Sequence, residues 1–457
     1  MRLSPKLKLL ILFLVAFVPR IIGIDKHAIF ADEIAWMVRG KETFLAIKAQ
    51  NWTNLKSNIW WMDTKAAEPM GLPMAFAIGG AITFLTPGYS NYSLNITKDF
   101  IASRIPALLL GSLFIPLFYY FLRKNGIKDN IALTSSLLFA IDPIAIGLSR
   151  WAHQDLALMV FTTLGLLSTG KSSFISTTFA IFTKPQGLIS PFVLALTKKS
   201  LVLLIIGIIA ATLLWPYLKT QFNVVSTGHL TTFNGQIFTN PPWYYYLAIL
   251  PFRVPEGILI GLFLAIFVKK KKLPLPLLIY SAIFLIVISL SDKKLGIRYL
   301  FGIWPVFYIL SAYGLSKIKN KLLFWIIALA FPIFGIFKFY PSYYLYHNNF
   351  ISGKNFQELE SVGFCDGVAP SIKYLEPKLF HGVKIMLPGC DGTINYYTGF
   401  TIQKVTALNE NPDFVIIETQ DKQKFPLRET QIAEAGYKEI NKIIFADLEL
   451  ARIYAKF

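Results

Sequence analysis

Apolar segments recur along most of this chain at lengths near what a bilayer demands, and that pattern limits the fold before any single motif is weighed. A helix needs about 20 apolar residues to cross a hydrocarbon layer about 30 Å thick. Only helices and closed barrels satisfy their backbone inside it. Segments 7–24, 102–122, 130–148, 154–170, a short pair at 174–184 and 187–197, 200–217, 247–268, 273–290, 299–316 and 322–339 read as spans, about eleven crossings. Composition agrees: 54% of the 457 residues are hydrophobic and 16% charged, where soluble domains average about 25% charged. The expected fold class is a polytopic α-helical membrane protein.

The net charge of +19 would suggest nucleic acid in a soluble chain. Here much of it falls in short runs between apolar segments, which reads as topology and attraction to anionic lipid, with no nucleic-acid partner. Arg2, Lys6 and Lys8 precede the first segment and place the N-terminus in the cytoplasm. That segment has no clear small-x-small cleavage site after it and reads as an uncleaved span. The run 71–86 is about 16 residues long, below the ~20 needed to cross. If it spanned, Arg123, Lys124, Lys128, Lys171 and the later basic runs down to Lys269–Lys272 would invert. It is therefore expected to be re-entrant or interfacial.

An odd number of crossings sends the C-terminus outside. Domain 1–339 is then the membrane unit, with a first outer loop at 25–101, and 340–457 is a small extracytoplasmic α/β domain. Within the latter, 413–418, 442–445 and 451–454 read as strands and 427–435 as a helix. After Glu33, apolar residues at helical spacing among charges suit an interfacial helix, flanked by a tryptophan belt. A disulfide between Cys365 and Cys390 would close a loop contributing roughly 3 kcal/mol if this domain is extracytoplasmic. Two free buried thiols are the alternative.

On this topology one membrane face collects Asp32, Glu33, Glu68, Arg150, His153, Asp155, Lys293, Lys294 and Arg298. Taken singly, each is cheap at a span end and uninformative. Arg150 and Asp155 lie five residues apart, which does not favour a simple helical pair. Lys293, Lys294 and Arg298 form a cationic cluster beside Tyr299, either snorkelling anchors or a phosphate clamp. Acids and cations on one face match transfer of a sugar from a polyprenyl-phosphate carrier: a carboxylate deprotonates the acceptor and cations neutralise the departing phosphate. A single base with direct attack implies inversion at the anomeric carbon. No step calls for a nucleotide cofactor.

Several stretches carry a family resemblance: Asp32-Glu33 after the first span, Ala67-Glu68-Pro69, Ala102-Ser103-Arg104-Ile105-Pro106, Ser149-Arg150 through Asp155, Phe182-Thr183-Lys184-Pro185, Arg298-Tyr299-Leu300 with Trp304-Pro305, and Tyr340 to Asn349. In this order they resemble the GT-C class of polyprenyl-phosphate-sugar-dependent glycosyltransferases, in the protein O-mannosyltransferase and aminoarabinose transferase-like group. The resemblance implies that Asp32 is the general base and that Glu33 supports it or binds acceptor. It also implies that Glu68 and Asp155 shape the sugar or acceptor pocket, and that Lys293, Lys294 and Arg298 hold the lipid phosphate.

Lys184 either contacts the carrier or snorkels, and Arg104 either acts in the site or anchors a helix. His153 is either a ligand for a divalent metal beside Asp155 or a hydrogen-bonding partner. The implied partners are a polyprenyl-phosphate sugar, the bilayer, and a protein or glycolipid acceptor. Two departures stand out: Gly363-Phe364-Cys365-Asp366-Gly367 replaces a frequent Trp-Gly, and Gln154 sits where small or apolar residues are usual. The competing readings are a lipid-linked-sugar flippase or transporter, and a non-catalytic protein that binds lipid-linked sugar.

Overall fold

The computed structural model describes residues 4–26, 28–30, 32–53, 71–86, 96–198, 202–210, 212, 230–269, 272–291, 294, 296–360, 363–388, 390, 397, 400–424 and 427–456. Glu68 and Lys293 lie outside the described residues. The chain divides into two compact units, both discontinuous in sequence. The first comprises 1–25, 35–227 and 242–348; the second comprises 26–34, 228–241 and 349–457.

The first unit is helical. Among the described residues, two of its helices, Lys98–Lys124 and Lys321–Lys338, are long and apolar enough to cross a membrane. The bent pair Tyr245–Arg253 and Glu256–Ala265, 116° apart, adds a third candidate. The expected span 200–217 lies partly outside the described residues, and the others appear as shorter helices. Segment 130–148, for example, is broken by Pro143 into Asp129–Ala140 and Pro143–Leu148, with the Asp142 carboxylate accepting the Ala145 amide as the second helix's N-cap. Segment 71–86 forms a single helix, Leu72–Leu85, of 14 residues; at 1.5 Å per residue it is about 21 Å long, short of the bilayer core. Helices Glu256–Ala265 and Trp304–Leu315 pack closely, because Gly261 lies bare against Ser311 and Gly314 against the backbone of Gly261 and Ala265. A Cβ at either position would run into its partner, so the contact depends on the small side chains that such interfaces favour.

Buried arginines fasten the end of the first helix, Pro5–Ile21. Arg20 donates to Ser149 Oγ and to the carbonyls of Ala16 and Ala140. Arg104 donates to Ile24 O at 2.8 Å, and Arg150 donates to Ile22 O at 3.0 Å. Carbonyls past a helix C-terminus have no intrahelical donor, and cationic side chains there supply one.

The second unit carries a five-stranded sheet of order β4-β3-β5-β7-β6. Its strands are β3 (Lys384–Met386), β4 (Gln403–Val405), β5 (Phe414–Glu418), β6 (Tyr437–Phe445) and β7 (Leu448–Lys456). β3 pairs in parallel with β4 and β5, while β7 pairs antiparallel with β5 and β6. A hairpin of β1 (Thr231–Phe233) and β2 (Gln236–Phe238) joins this unit through a bridge from Phe233 to Glu360. The sheet buries Val415, Ile417, Tyr437 and Tyr454 together with Ile432 from the Leu427–Glu434 helix. Val, Ile and Tyr are residues that pack well on a pleated surface. Cys365 and Cys390 are bonded, settling that alternative in favour of the disulfide.

Candidate functional site

The acid pair sits in the second unit, at the point where the chain enters the helix Glu33–Lys48. Asp32 directly precedes the first helical residue, where a carboxylate suits both the orphan amides and the helix dipole. It is half-buried. Glu33 is fully buried, and its Oε2 accepts the Phe30 amide at 2.9 Å while its own amide donates to Phe30 O. This reciprocal pair closes residues 30–33 into a tight turn. Glu33 therefore shapes the backbone that carries Asp32. Ala28, Ile29 and Phe30 are buried, with Ile29 N donating to Tyr397 Oη at 2.7 Å and the Phe30 ring 5.4 Å from the Phe364 ring.

In the first unit, Asp155 opens the helix Asp155–Leu167, and the preceding turn holds Arg150, His153 and Gln154. Lys184 lies at the extended break after the helix Gly170–Thr183, its Nζ donating to Asp155 Oδ1 at 2.5 Å. Both side chains are about 6% exposed, so each charge relies on the other for solvation. The Asp155 amide donates to His153 Nδ1 at 3.3 Å, and the same nitrogen lies 3.0 Å from Asp155 Oδ2. The Trp36 ring lies 5.0 Å from that of His153, tilted by 55°.

Beyond Lys184, the Tyr299 ring centroid lies 5.1 Å from its Nζ and 5.3 Å from Arg298 Cζ. Both cations lie within cation–π range of the one ring, a contact worth about a kcal/mol or two per pair when desolvated. Lys294, also buried, donates from Nζ to Ser291 O. The structure thus links His153, Asp155, Lys184, Tyr299 and Arg298 in one contiguous, largely buried chain. Lys184 Nζ meets both the carboxylate and the aromatic ring.

Arg150 takes no part in that chain. It donates to Ile22 O and Pro341 O and lies over the Tyr343 ring, and it is fully buried. Arg104 is likewise an anchor, bound to Ile24 O and stacked on Phe100. Gln154, the departure noted in the sequence, accepts the Gly71 amide at 3.2 Å. Gly71 in turn abuts the backbone of Thr183, leaving no room for a Cβ. Gln154 therefore ties the start of the Leu72–Leu85 helix to the residue beside Lys184.

Lys184 occupies Asp155 Oδ1, while Oδ2 is the oxygen that faces His153 Nδ1. Among the described residues, the group of three metal-ligand side chains within reach of one another is Cys365, Cys390 and Glu418, and both cysteines are spent in the disulfide. Sequence reasoning passed over Arg20, hidden in an apolar helix, and gave Tyr299 and Trp36 no place in the site. Only the adjacency of Tyr299 to Arg298 signalled it.

Residues 76–254 match the dolichyl-phosphate-mannose-protein mannosyltransferase family. The matched stretch includes Arg104, Arg150, His153, Asp155 and Lys184. No curated protein matches the chain. Among solved structures, ArnT from Cupriavidus metallidurans in the apo state aligns over 99% of this chain and 98% of its own, at 13% identity and a TM-score of 0.49. ArnT from Cupriavidus metallidurans bound to undecaprenyl phosphate aligns over 98% and 97%, at the same identity and TM-score. The likeness to the dolichyl-phosphate-mannose-protein mannosyltransferase family thus covers residues 76–254 of the 457.

Proposed function

We propose that this protein transfers a single sugar, with inversion, from a polyprenyl-phosphate carrier to a protein or glycolipid acceptor on the extracytoplasmic side of the membrane. The family match over 76–254 carries the reading, because it encloses the buried Asp155–Lys184 pair. In this proposal Asp32 takes the proton from the acceptor nucleophile as it attacks the anomeric carbon. Glu33 fixes the turn that presents Asp32. Lys184, Lys293, Lys294 and Arg298 offset the charge that develops on the departing carrier phosphate, with Arg298 supplying a planar fork of donors. His153, Asp155 and Glu68 shape the sugar or acceptor pocket, while Arg150 acts through the backbone it pins. The outward placement of the second unit is supported by the basic N-terminal flank and by the disulfide, a bond that persists in oxidising compartments.

The test is transfer of radiolabelled sugar from a panel of polyprenyl-phosphate sugars by the purified full chain, alongside Asp32→Asn at matched thermal stability. A positioned base contributes roughly 10²–10⁴-fold. Turnover by wild type and a loss of about a hundredfold or more in Asp32→Asn are expected on that basis. Equal turnover in both would remove Asp32 as the base. Donor binding without turnover in either would overturn the enzymatic reading.

A further inference from the structure

The turn that carries Asp32 is gripped within its own unit by Phe364, next to one end of the Cys365–Cys390 bridge, and by Tyr397. Phe364 sets its ring edge-on against the buried ring of Phe30 at 5.4 Å. Tyr397 accepts the amide of the neighbouring Ile29 at 2.7 Å. Beneath the bridge, Glu418 at the end of β5 accepts the amides of Cys365 and Gly367 at 2.9 and 2.7 Å and lies 3.4 Å from Cys390 Sγ. The residues about Cys365 are thereby fixed to the sheet by their backbone and to Cys390 by a covalent bond. Two contacts separate the bridge from Glu33, whose carboxylate holds the Phe30 amide.

We propose that the Cys365–Cys390 disulfide is a positioning clasp for Asp32: it holds Phe364 in the place that immobilises Phe30 and its neighbour Ile29, and opening it slackens the acid-bearing turn. Opening takes two electrons and two protons from a dithiol reductant, which closes to its own disulfide as the S–S bond becomes two thiols. The sheet itself retains its hydrogen-bonded ladder and its apolar core, so the effect is local to the residues about the bridge and the turn. This inference rests on the proposed role of Asp32 for its catalytic consequence, though not for its structural one.

The experiment uses the full chain in nanodiscs, oxidised and after treatment with a dithiol, with Cys365→Ser/Cys390→Ser as a control that the dithiol leaves unchanged. Amide exchange of Ile29 and Phe30 is expected to speed up about tenfold on reduction, as local opening becomes cheaper. With whichever polyprenyl-phosphate sugar the transfer panel turns over, kcat is expected to fall about tenfold or more while donor KM stays within about twofold, since misplacing a reacting group costs rate. Phe364→Ala reproduces both changes with the disulfide intact, and Phe364→Tyr, which keeps the ring, restores them. Unchanged exchange at 29–30 on reduction overturns the clasp. Faster exchange with kcat intact overturns its link to Asp32. Faster exchange in a protein that turns over no donor leaves the clasp standing and sinks the transferase reading instead.

Discussion

Glu33 and Glu418 are both buried carboxylates that accept backbone amides. Glu418 lies at the end of β5 with Asp366 and Asp421 nearby, and burial followed by the repulsion of Asp366 pushes its carboxyl up to about 8, against the pull of the Cys365 and Gly367 amides. The 3.4 Å contact with Cys390 Sγ fits the same state, because a disulfide sulfur has no proton to donate and the carboxyl must supply it. An acid whose pKa is higher folded than unfolded holds a proton that the unfolded chain has released. Stability is therefore full below about pH 4.5, the unfolded value, and declines as pH rises through about 8, by roughly a kcal/mol per pH unit. Exchange of the β5 amides, corrected for its intrinsic rate, is expected to show this loss between pH 5 and 8, and Glu418→Gln is expected to flatten it. A wild-type profile that is already flat, or that rises with pH, would mean that Glu418 is ionised in the fold. Lys184 and Asp155 pose the opposite problem. A buried ion pair seldom adds net stability over apolar residues of similar size, so the fold gains little from keeping them, and their reason for being there is better sought in what they bind.

The β6–β7 hairpin shows how an element is specified, and where the specification is poor. Phe445 pairs with Leu448 across a two-residue loop in which Ala446 and Asp447 both have positive φ, 49° and 70°. That loop matches the twist of the strands but suits Asn-Gly, and an alanine there costs about 1 kcal/mol. Ala446→Asn is expected to stabilise the sheet domain by about that amount in a chemical-denaturation series. A loss of stability would show that the alanine methyl makes a contact outweighing the strain. β5, β6, β7 and the Leu427–Glu434 helix were legible because each has a run of β-branched and aromatic residues, or a helical period, between turn residues. β3 and β4, at three residues each, are too short to carry a period. The β1–β2 hairpin lies in what reads as a polar loop, and only its pairing with Glu360 reveals its place. In the helical unit the apolar runs were correctly located, but hydropathy could not show that Pro143 splits one of them or that Arg20 is neutralised by carbonyls rather than by lipid head groups. The linkage of Asp155 to Lys184, across 29 residues, is likewise a tertiary fact that no local pattern encodes. Asp32 stands out in the sequence through its neighbour and its place after the first apolar segment, which makes it a proposed base, while the turn that Glu33 builds beneath it shows only in the fold.

For the molecule as a whole, the open quantity is which side of the bilayer each part faces, and charge is what sets it. Arg123, Lys124 and Lys128 follow the long Lys98–Lys124 helix, and Lys198, Lys269 and Lys272 follow later helical segments. Lys and Arg near span ends are retained on the cytoplasmic side. The same assignment leaves Cys365 and Cys390 in the compartment where a disulfide endures, and it gives the clasp proposed above a reason to stay closed. Neither cysteine is free, so an introduced cysteine is the one thiol a maleimide can find without altering the native pair. Lys124 and Lys354 are both exposed and lie in different units. In intact cells a membrane-impermeant maleimide is expected to label Lys354→Cys at once and to reach Lys124→Cys only after the membrane is permeabilised. Labelling of Lys124→Cys from outside would invert the basic runs, return 71–86 to the set of true spans and detach the proposed chemistry from the extracytoplasmic face. Protection of Lys354→Cys would place the disulfide in a reducing compartment, where the Cys365–Cys390 bridge could serve only as a transient, redox-responsive bond.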